Sequence, residues 1–312
     1  MNEFLLVQMI SAEKLLASHE SKQMVVSELK NSLAGVSGEQ RTAALLKREL
    51  DLPREFALLS DIHIPYKDGS VQIDLLLVHG DFICVLEVKN MIGEFYFDSV
   101  NFQFHRIVDG RREGMRNPEA QLHRAVKAVS GFLGVPAHGV IVLASRSGKV
   151  VDAPKHYPVV SLDYLPFHLE QLAHGAELFN VATLTAKLHG LPMRNTKRQW
   201  LERQKITLDS LRLGVTCPTC RNCPLVWQNR KWHCARCNFN SRDAHEVTLQ
   251  EYAVLFGNKL DTQIAYKLLG VEDKYVLYRL LVKSAPKSNV RGKRQIIENR
   301  DLLRAYFARV YR

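Results

Sequence analysis

The chain predicts a mixed α/β domain followed by a small metal-held ribbon and a helical C-terminal region, and three observations carry that prediction. Short apolar runs of strand length alternate with longer helical periodicities between residues 39 and 173. Two Cys-x-x-Cys pairs, Cys217/Cys220 and Cys234/Cys237, stand thirteen residues apart. Charge divides along the 312 residues: 1–189 hold 19 Lys and Arg against 22 Asp and Glu (net −3), and 190–312 hold 24 against 10 (net +14). The division predicts a neutral front half joined to a part that meets a polyanion.

The elements follow in order. Leu5, Leu6, Met9, Ile10, Leu15, Leu16, Val25, Val26, Leu29 and Leu33 recur near helical spacing, so residues 1–34 read as an N-terminal helical segment. Gly35-Val36-Ser37-Gly38 is expected to interrupt it, with Ser37 capping a second helix from Glu39 to about Leu50 that buries Ala43, Ala44, Leu45 and Leu46. Three strands follow: one within 56–65, then Val71 to Val78 and Phe82 to Val88, the last two joined by a His79-Gly80-Asp81 turn. Glu94 to Phe97 and Phe102 to Val108 read as a paired excursion, and Asn117-Pro118 opens a helix that ends near Gly134. Strands at Val140–Ala144 and Pro158–Leu162 and a helix over Leu165–Ala173 complete a domain at 35–175. Residues 176–214 read as a basic helical linker, 215–245 as the ribbon, and 246–312 as helical with a basic tail.

A hydrophobic content of 46% suits a globular protein, and 312 residues allow two or three domains. No apolar stretch has the length needed to span a bilayer and no secretory signal pattern stands at the N-terminus, so the expectation is a cytoplasmic protein without a membrane partner. Five of the six cysteines lie between 217 and 237, a clustering that suits a metal site better than disulfides; Cys84, inside an apolar strand, reads as a small buried hydrophobe.

Alternate strand residues share a face, so Glu87 and Lys89 point the same way, and the hairpin can bring Asp74 near both. Burying two carboxylates and a lysine is costly unless they pair or hold a cation. An Asp–Lys–Glu cluster on a half-exposed strand is the plain alternative.

Gly38-Glu39-Gln40-Arg41, Gln72-Ile73-Asp74, Glu87-Val88-Lys89-Asn90 with Gly93, and Asn117-Pro118-x-x-Gln121 together resemble the nuclease-related (NERD) domain in order and spacing, over roughly residues 35–145. That domain belongs to the PD-(D/E)xK, restriction-endonuclease-like superfamily; Ile73 stands where the superfamily's name places proline. The resemblance implies a restriction-endonuclease-like mixed sheet flanked by helices. It further implies Mg²⁺ or Mn²⁺ held by Asp74, Glu87 and the Val88 carbonyl, Lys89 acting on the attacking water, Glu39 extending the acidic cluster, and Gln121 steadying Lys89 or a phosphate. Taken alone, Glu39 and Gln121 also read as a helix-end charge and a solvated polar residue.

Cys217, Cys220, Cys234 and Cys237 provide four thiolates for one structural Zn²⁺, with Cys223 and His233 as spare donors. Trp227 and Trp232 are expected to form the ribbon's small core. Beyond it, a helix over Asp261–Leu269, a turn at Gly270-Val271 and a helix over Lys274–Val282 resemble a helix-turn-helix. Tyr275, Arg279 and Lys283, with Arg291, Lys293 and Arg294 of the basic tail, are the expected nucleic-acid contacts. The function these features point to is Mg²⁺-dependent hydrolysis of DNA, RNA not excluded, targeted by the basic half. The rivals are a DNA-binding or adaptor protein on a non-catalytic nuclease fold, and a zinc-ribbon RNA-processing factor.

Overall fold

The computed structural model describes residues 3–175, 178–189, 191, 196–289 and 292–310. Its helices in chain order are α1 (Glu3–Lys14), α2 (Lys22–Glu49), α3 (Pro118–Leu133), α4 (Leu165–Glu170), α5 (Val181–His189), α6 (Thr196–Arg203), α7 (His245–Phe256), α8 (Thr262–Leu269), α9 (Lys274–Ser284) and α10 (Arg300–Val310). Its strands are β1 (Phe56–Tyr66), β2 (Gly69–His79), β3 (Ile83–Lys89), β4 (Gly93–Phe97), β5 (Phe104–Val108), β6 (Arg111–Met115), β7 (His138–Leu143), β8 (Gly148–Asp152), β9 (Val159–Ser161), β10 (Val226–Gln228), β11 (Lys231–His233), β12 (Asn240–Ser241), β13 (Lys259–Asp261) and β14 (Lys293–Gln295). The chain forms two compact units: a central one, Ser32–Arg194, and a terminal one built from Met1–Asn31 with Asn195–Arg312.

The central unit is a mixed sheet in the order β1-β2-β3-β7-β9, antiparallel from β1 to β3 and parallel from β3 to β9. Its middle strands are apolar on both faces because both are covered. On one side Leu75, Leu77, Cys84, Leu86 and Val88 pack with Leu46 of α2 and with Leu165 and Leu169 of α4. On the other, Leu76, Val78, Ile83 and Val85 meet α3 through Leu122, Ala125 and Val129, and α5 through Leu184 and Leu188. A second sheet, β6-β5-β4-β8, adds Phe95, Phe97 and Phe104 to that core. Its strand β4 starts at Gly93, whose φ of 105° and lack of a side chain are both needed, since a Cβ would stand 2.5 Å from the Ile107 carbonyl oxygen.

The expected break at Gly35–Gly38 does not occur: α2 runs unbroken from Lys22 to Glu49, so Ser37 caps nothing. Gly38 is there for packing instead. A Cβ on it would lie 2.6 Å from the Asn90 Cβ, so the missing side chain lets the helix approach the end of β3. Of the four residues expected to be buried on this helix, Ala44 is exposed.

In the terminal unit, α1 is buried on nearly every side, with Leu5, Leu6, Val7, Met9 and Ile10 inside. Trp200 of α6 stacks edge-on against Phe4 and donates to Glu28 at 2.7 Å. Lys14 is buried against Glu251 of α7 at 3.1 Å and donates to Thr216, a pair tolerable only because the ammonium is met on both sides. Residues 176–214 divide between the units, α5 contributing to the central core and α6 to the terminal unit. The expected basic tail is not a tail, since β14 and α10 occupy most of it. Among the described residues, no helix is long and apolar enough to cross a membrane.

Candidate active site and metal-binding cluster

The antiparallel ladder between β2 and β3 ends at Leu75↔Leu86, and the next cross-strand position sets Asp74 against Glu87. The two acids therefore stand where the strands part. The Val88 amide, past the ladder's end, donates to Asp74 Oδ2 at 3.0 Å instead of to a strand carbonyl. Lys89 donates from Nζ to Glu87 Oε1 at 2.6 Å and to Gln121 Oε1 at 3.0 Å. Gln121 reaches it because α3 starts where it does: Asn117 accepts from the Glu119 amide at 2.8 Å, Pro118 takes the first helical position, and Gln121 follows one turn in. Asn90 is gripped from α2 by Arg41 at 2.7 Å and itself donates to the Ala34 carbonyl at 2.8 Å.

A residue that sequence reasoning missed shapes this opening. Asp61 has a left-handed φ of 53° inside β1 and falls across from Asp74, between the pairs Ser60↔Leu75 and Ile62↔Ile73. On β1 the residues joining the α3-side core are Ala57 and Leu59 before it but Ile62 and Ile64 after it; on β2 they are Val71 and Ile73, then Leu76 and Val78. Strand alternation changes phase on both strands at this pair of aspartates, which period-two reasoning cannot anticipate. Asp61 accepts from Gln72 at 2.8 Å, and His63 Nε2 lies 3.6 Å from it. The one available signal was an aspartate in the middle of a strand-like run, a residue type depleted there.

Negative charge is in surplus. Burial first, then the charges of Glu87 and Glu39, push the Asp74 carboxyl up to about 7 against the pull of Lys89 and the Val88 amide. Burial, then Asp61 and Glu87, raise Glu39 as well. One lysine does not offset such a group, so the donor set fits a divalent cation. Two carboxylates and a strand carbonyl suit Mg²⁺, which keeps several waters. The Val88 carbonyl follows its own N–H toward the β2 side, as both groups of a strand residue do. Among the described residues no three of these acids bring ligand atoms within 4.8 Å of one another, so they do not form a closed cage.

The four cysteines do form a closed group. Cys217, Cys220, Cys234 and Cys237 have all their sulfurs within 4.8 Å of one another, with Cys217–Cys237 at 3.6 Å and Cys220–Cys234 at 3.4 Å, and can hold a tetrahedral metal. Burial opposes ionisation of Cys234, but the backbone amides of Cys237 and Arg236 and the neighbouring thiols lower it. At Cys237 the lowering by the Phe239 amide is outweighed by burial and the same crowding of thiols, so that thiol is raised; one thiol of the group gives up its proton at another's expense. Cys223 is turned to the Leu213 and Gly214 carbonyls and His233 to the Gln228 carbonyl, so both spare donors lie outside the cluster. Trp232 is 1% exposed, with Trp227 edge-on to it at 5.1 Å.

The expected nucleic-acid contacts separate. Tyr275, Arg279 and Lys283 are exposed on α9. Lys293 is exposed but paired with Asp261 at 2.7 Å. Arg294 is a correction: it is buried and donates to the Ala285 carbonyl at 3.0 Å, because β14 turns it inward, so it is not placed to meet a phosphate. Arg291 lies outside the described residues.

Residues 34–144 match the family model for the nuclease-related domain, so the motif resemblance stands for that stretch. No curated protein matches the chain. Among solved structures, the small subunit of the heterodimeric restriction endonuclease R.BspD6I is similar at 16% identity over 54% of this chain and 88% of that one, with a TM-score of 0.20.

Proposed function

We propose that the central unit hydrolyses DNA phosphodiester bonds with Mg²⁺ or Mn²⁺ held by Asp74, Glu87 and the Val88 carbonyl, and that the four cysteines hold one structural Zn²⁺. The observation that supports this best is the Lys89 ammonium fixed between Glu87 and Gln121 beside a carboxylate whose ionisation its neighbours resist. A divalent ion bound there would supply charge neutralisation on a non-bridging phosphate oxygen and acidify a coordinated water. The chain's own residues do the rest. Lys89 orients the attacking water and donates to the charge that develops on the phosphoryl oxygens. Gln121 holds Lys89 in line, and Glu39 extends the acidic edge from α2. The basic C-terminal half supplies affinity through phosphate contacts.

The test is incubation of the zinc-loaded full chain with linear, circular and single-stranded DNA, with and without added Mg²⁺ or Mn²⁺. Metal-dependent cleavage that Glu87→Ala abolishes is the expected result. Wild type inert on every DNA form, with Lys89→Ala no different in DNA affinity, would leave the non-catalytic binding protein as the better reading.

A further inference from the structure

The end of the terminal unit has a topology that its sequence conceals. After α7 comes β13, then α8 and α9 across the short turn Val271–Asp273, then an extended return at 286–288 joined to β14 through one isolated antiparallel bridge. Lys287 bridges Arg294, the Ser288 amide donates to the Lys293 carbonyl and the Gln295 amide to the Pro286 carbonyl, each at 3.0 Å. Strand β14 in turn pairs with β13 through Lys259↔Gln295, Leu260↔Arg294 and Asp261↔Lys293. Helix, strand, helix, helix and an antiparallel hairpin closing on the first strand is the order of a winged helix-turn-helix, with α9 in the place of the recognition helix.

The surfaces agree with that order. Leu277, Leu280 and Leu281 turn the inner side of α9 into a core shared with α7 and α8. Its outer side carries Tyr275 (67% exposed), Tyr278 (49%), Arg279, Val282 and Lys283, spaced as a single stripe. Helix α9 contains no acidic residue, and Asp273 just before it is occupied in capping the Tyr275 and Val276 amides. Lys287, at the root of the hairpin, stands 6.0 Å from the Tyr278 ring centre, so helix and hairpin present one basic, aromatic surface. The stripe is convex. It suits insertion into a groove about 12 Å wide rather than the cleft that wraps a single strand.

We infer that α9 and the hairpin beside it form a reading head for double-stranded DNA, with Arg279 and Lys283 entering the major groove and Lys287 meeting the flanking phosphate. This names duplex DNA as the target of the proposed function and rests on that reading only for nucleic acid as the partner. The helix is braced from the ribbon side: Trp232 donates to His245 Nδ1 at 3.2 Å, and His245 Nε2 meets the Leu280 carbonyl at 2.9 Å.

The experiment is fluorescence anisotropy of the zinc-loaded full chain, without added Mg²⁺, on a labelled DNA duplex of about 20 base pairs, the single strand and an RNA duplex of the same sequence. The double variant Arg279→Gln/Lys283→Gln should bind the DNA duplex at least about tenfold more weakly, with a salt dependence shallower by about two ions. Methylation protection at guanine N7, which lies in the major groove, should be lost in Arg279→Gln alone. Duplex affinity within twofold of wild type, or single strand or RNA bound as tightly with the same loss in the variant, would overturn the inference. Cleavage of the same duplex with Mg²⁺ is scored separately. Duplex binding without cleavage removes the nuclease reading and leaves this one standing, whereas cleavage with unaltered binding by the variant does the reverse.

Discussion

The cysteine cluster and the carboxylate cluster both gather anionic donors, and they differ in how much of the fold each one requires. The four sulfurs come from two knuckles inside residues 217–237 and close on one another, leaving no position for a substrate. The acids come from α2, β1, β2 and β3, are met by Lys89, which Gln121 also holds, and do not close on one another three at a time. A ligand set that saturates its ion stabilises structure; one that leaves the ion's shell unfilled admits water and phosphate. Local turns can build the first. Only a completed sheet can build the second.

The largest effect that would break this contrast lies in the ribbon. Its Cys217, Trp232 and Cys234 share a core with Leu249, Leu268 and Leu281, so a metal held there would support far more than the knuckles. Zinc removal or Cys234→Ser should forfeit folding energy on the order of 10 kcal/mol. Hydrogen exchange should then show residues 215–285 opening while 56–170 stay protected. Equal protection after zinc removal, or zinc content near zero in the native protein, would contradict it.

Next comes the opposite behaviour in the central unit. Asp74→Ala or Glu87→Ala should cut cleavage by about a thousandfold or more, roughly 4 kcal/mol of barrier, and Asp74→Ala should do so without lowering the melting temperature, since burial and the charges of Glu87 and Glu39 oppose its ionised form. Cleavage surviving in Glu87→Ala would show that the active site lies elsewhere. Lys89→Ala should lose activity while retaining metal affinity, measurable by isothermal titration with Mn²⁺. Glu39→Ala and Gln121→Ala should be milder, about ten- to a thousandfold in rate, on the scale of one positioning contact.

The smallest effect separates the units by pH. Burial holds His245 below the usual imidazole range against the opposing pull of Leu280, Glu246 and Asp243. The unfolded chain thus takes up a proton before the folded one as pH falls below about 6.5. The stability His245 contributes is present above that pH and lost as pH falls toward its folded pKa. Melting curves between pH 8 and 5.5 should show a pH slope in the terminal unit that His245→Gln reduces, with the central unit's slope unaltered in the variant.

Much of this was legible in residues alone, for reasons of range. Cysteine knuckles act over three residues, a cap and a proline start α3 within two, and strand runs show as apolar tracts, so the ribbon, Gln121's helix and the β2–β3 hairpin could be read directly. Glycine misled at Gly38, because the same residue type serves a helix break and a close helix approach, and only Asn90, far along the chain, decides between them. The basic run at 291–294 could not be sorted by composition, since pairing with β13 is what turns Arg294 inward and leaves Lys293 at the surface. Asp61 was hidden for a further reason: its role depends on a backbone angle that reverses strand phase opposite Asp74, and no local pattern specifies that. The sequence by itself determined which groups could bind a metal or carry charge. The tertiary structure decided which of them share a site, because burial and strand register, not residue type, set the distances at which charges act.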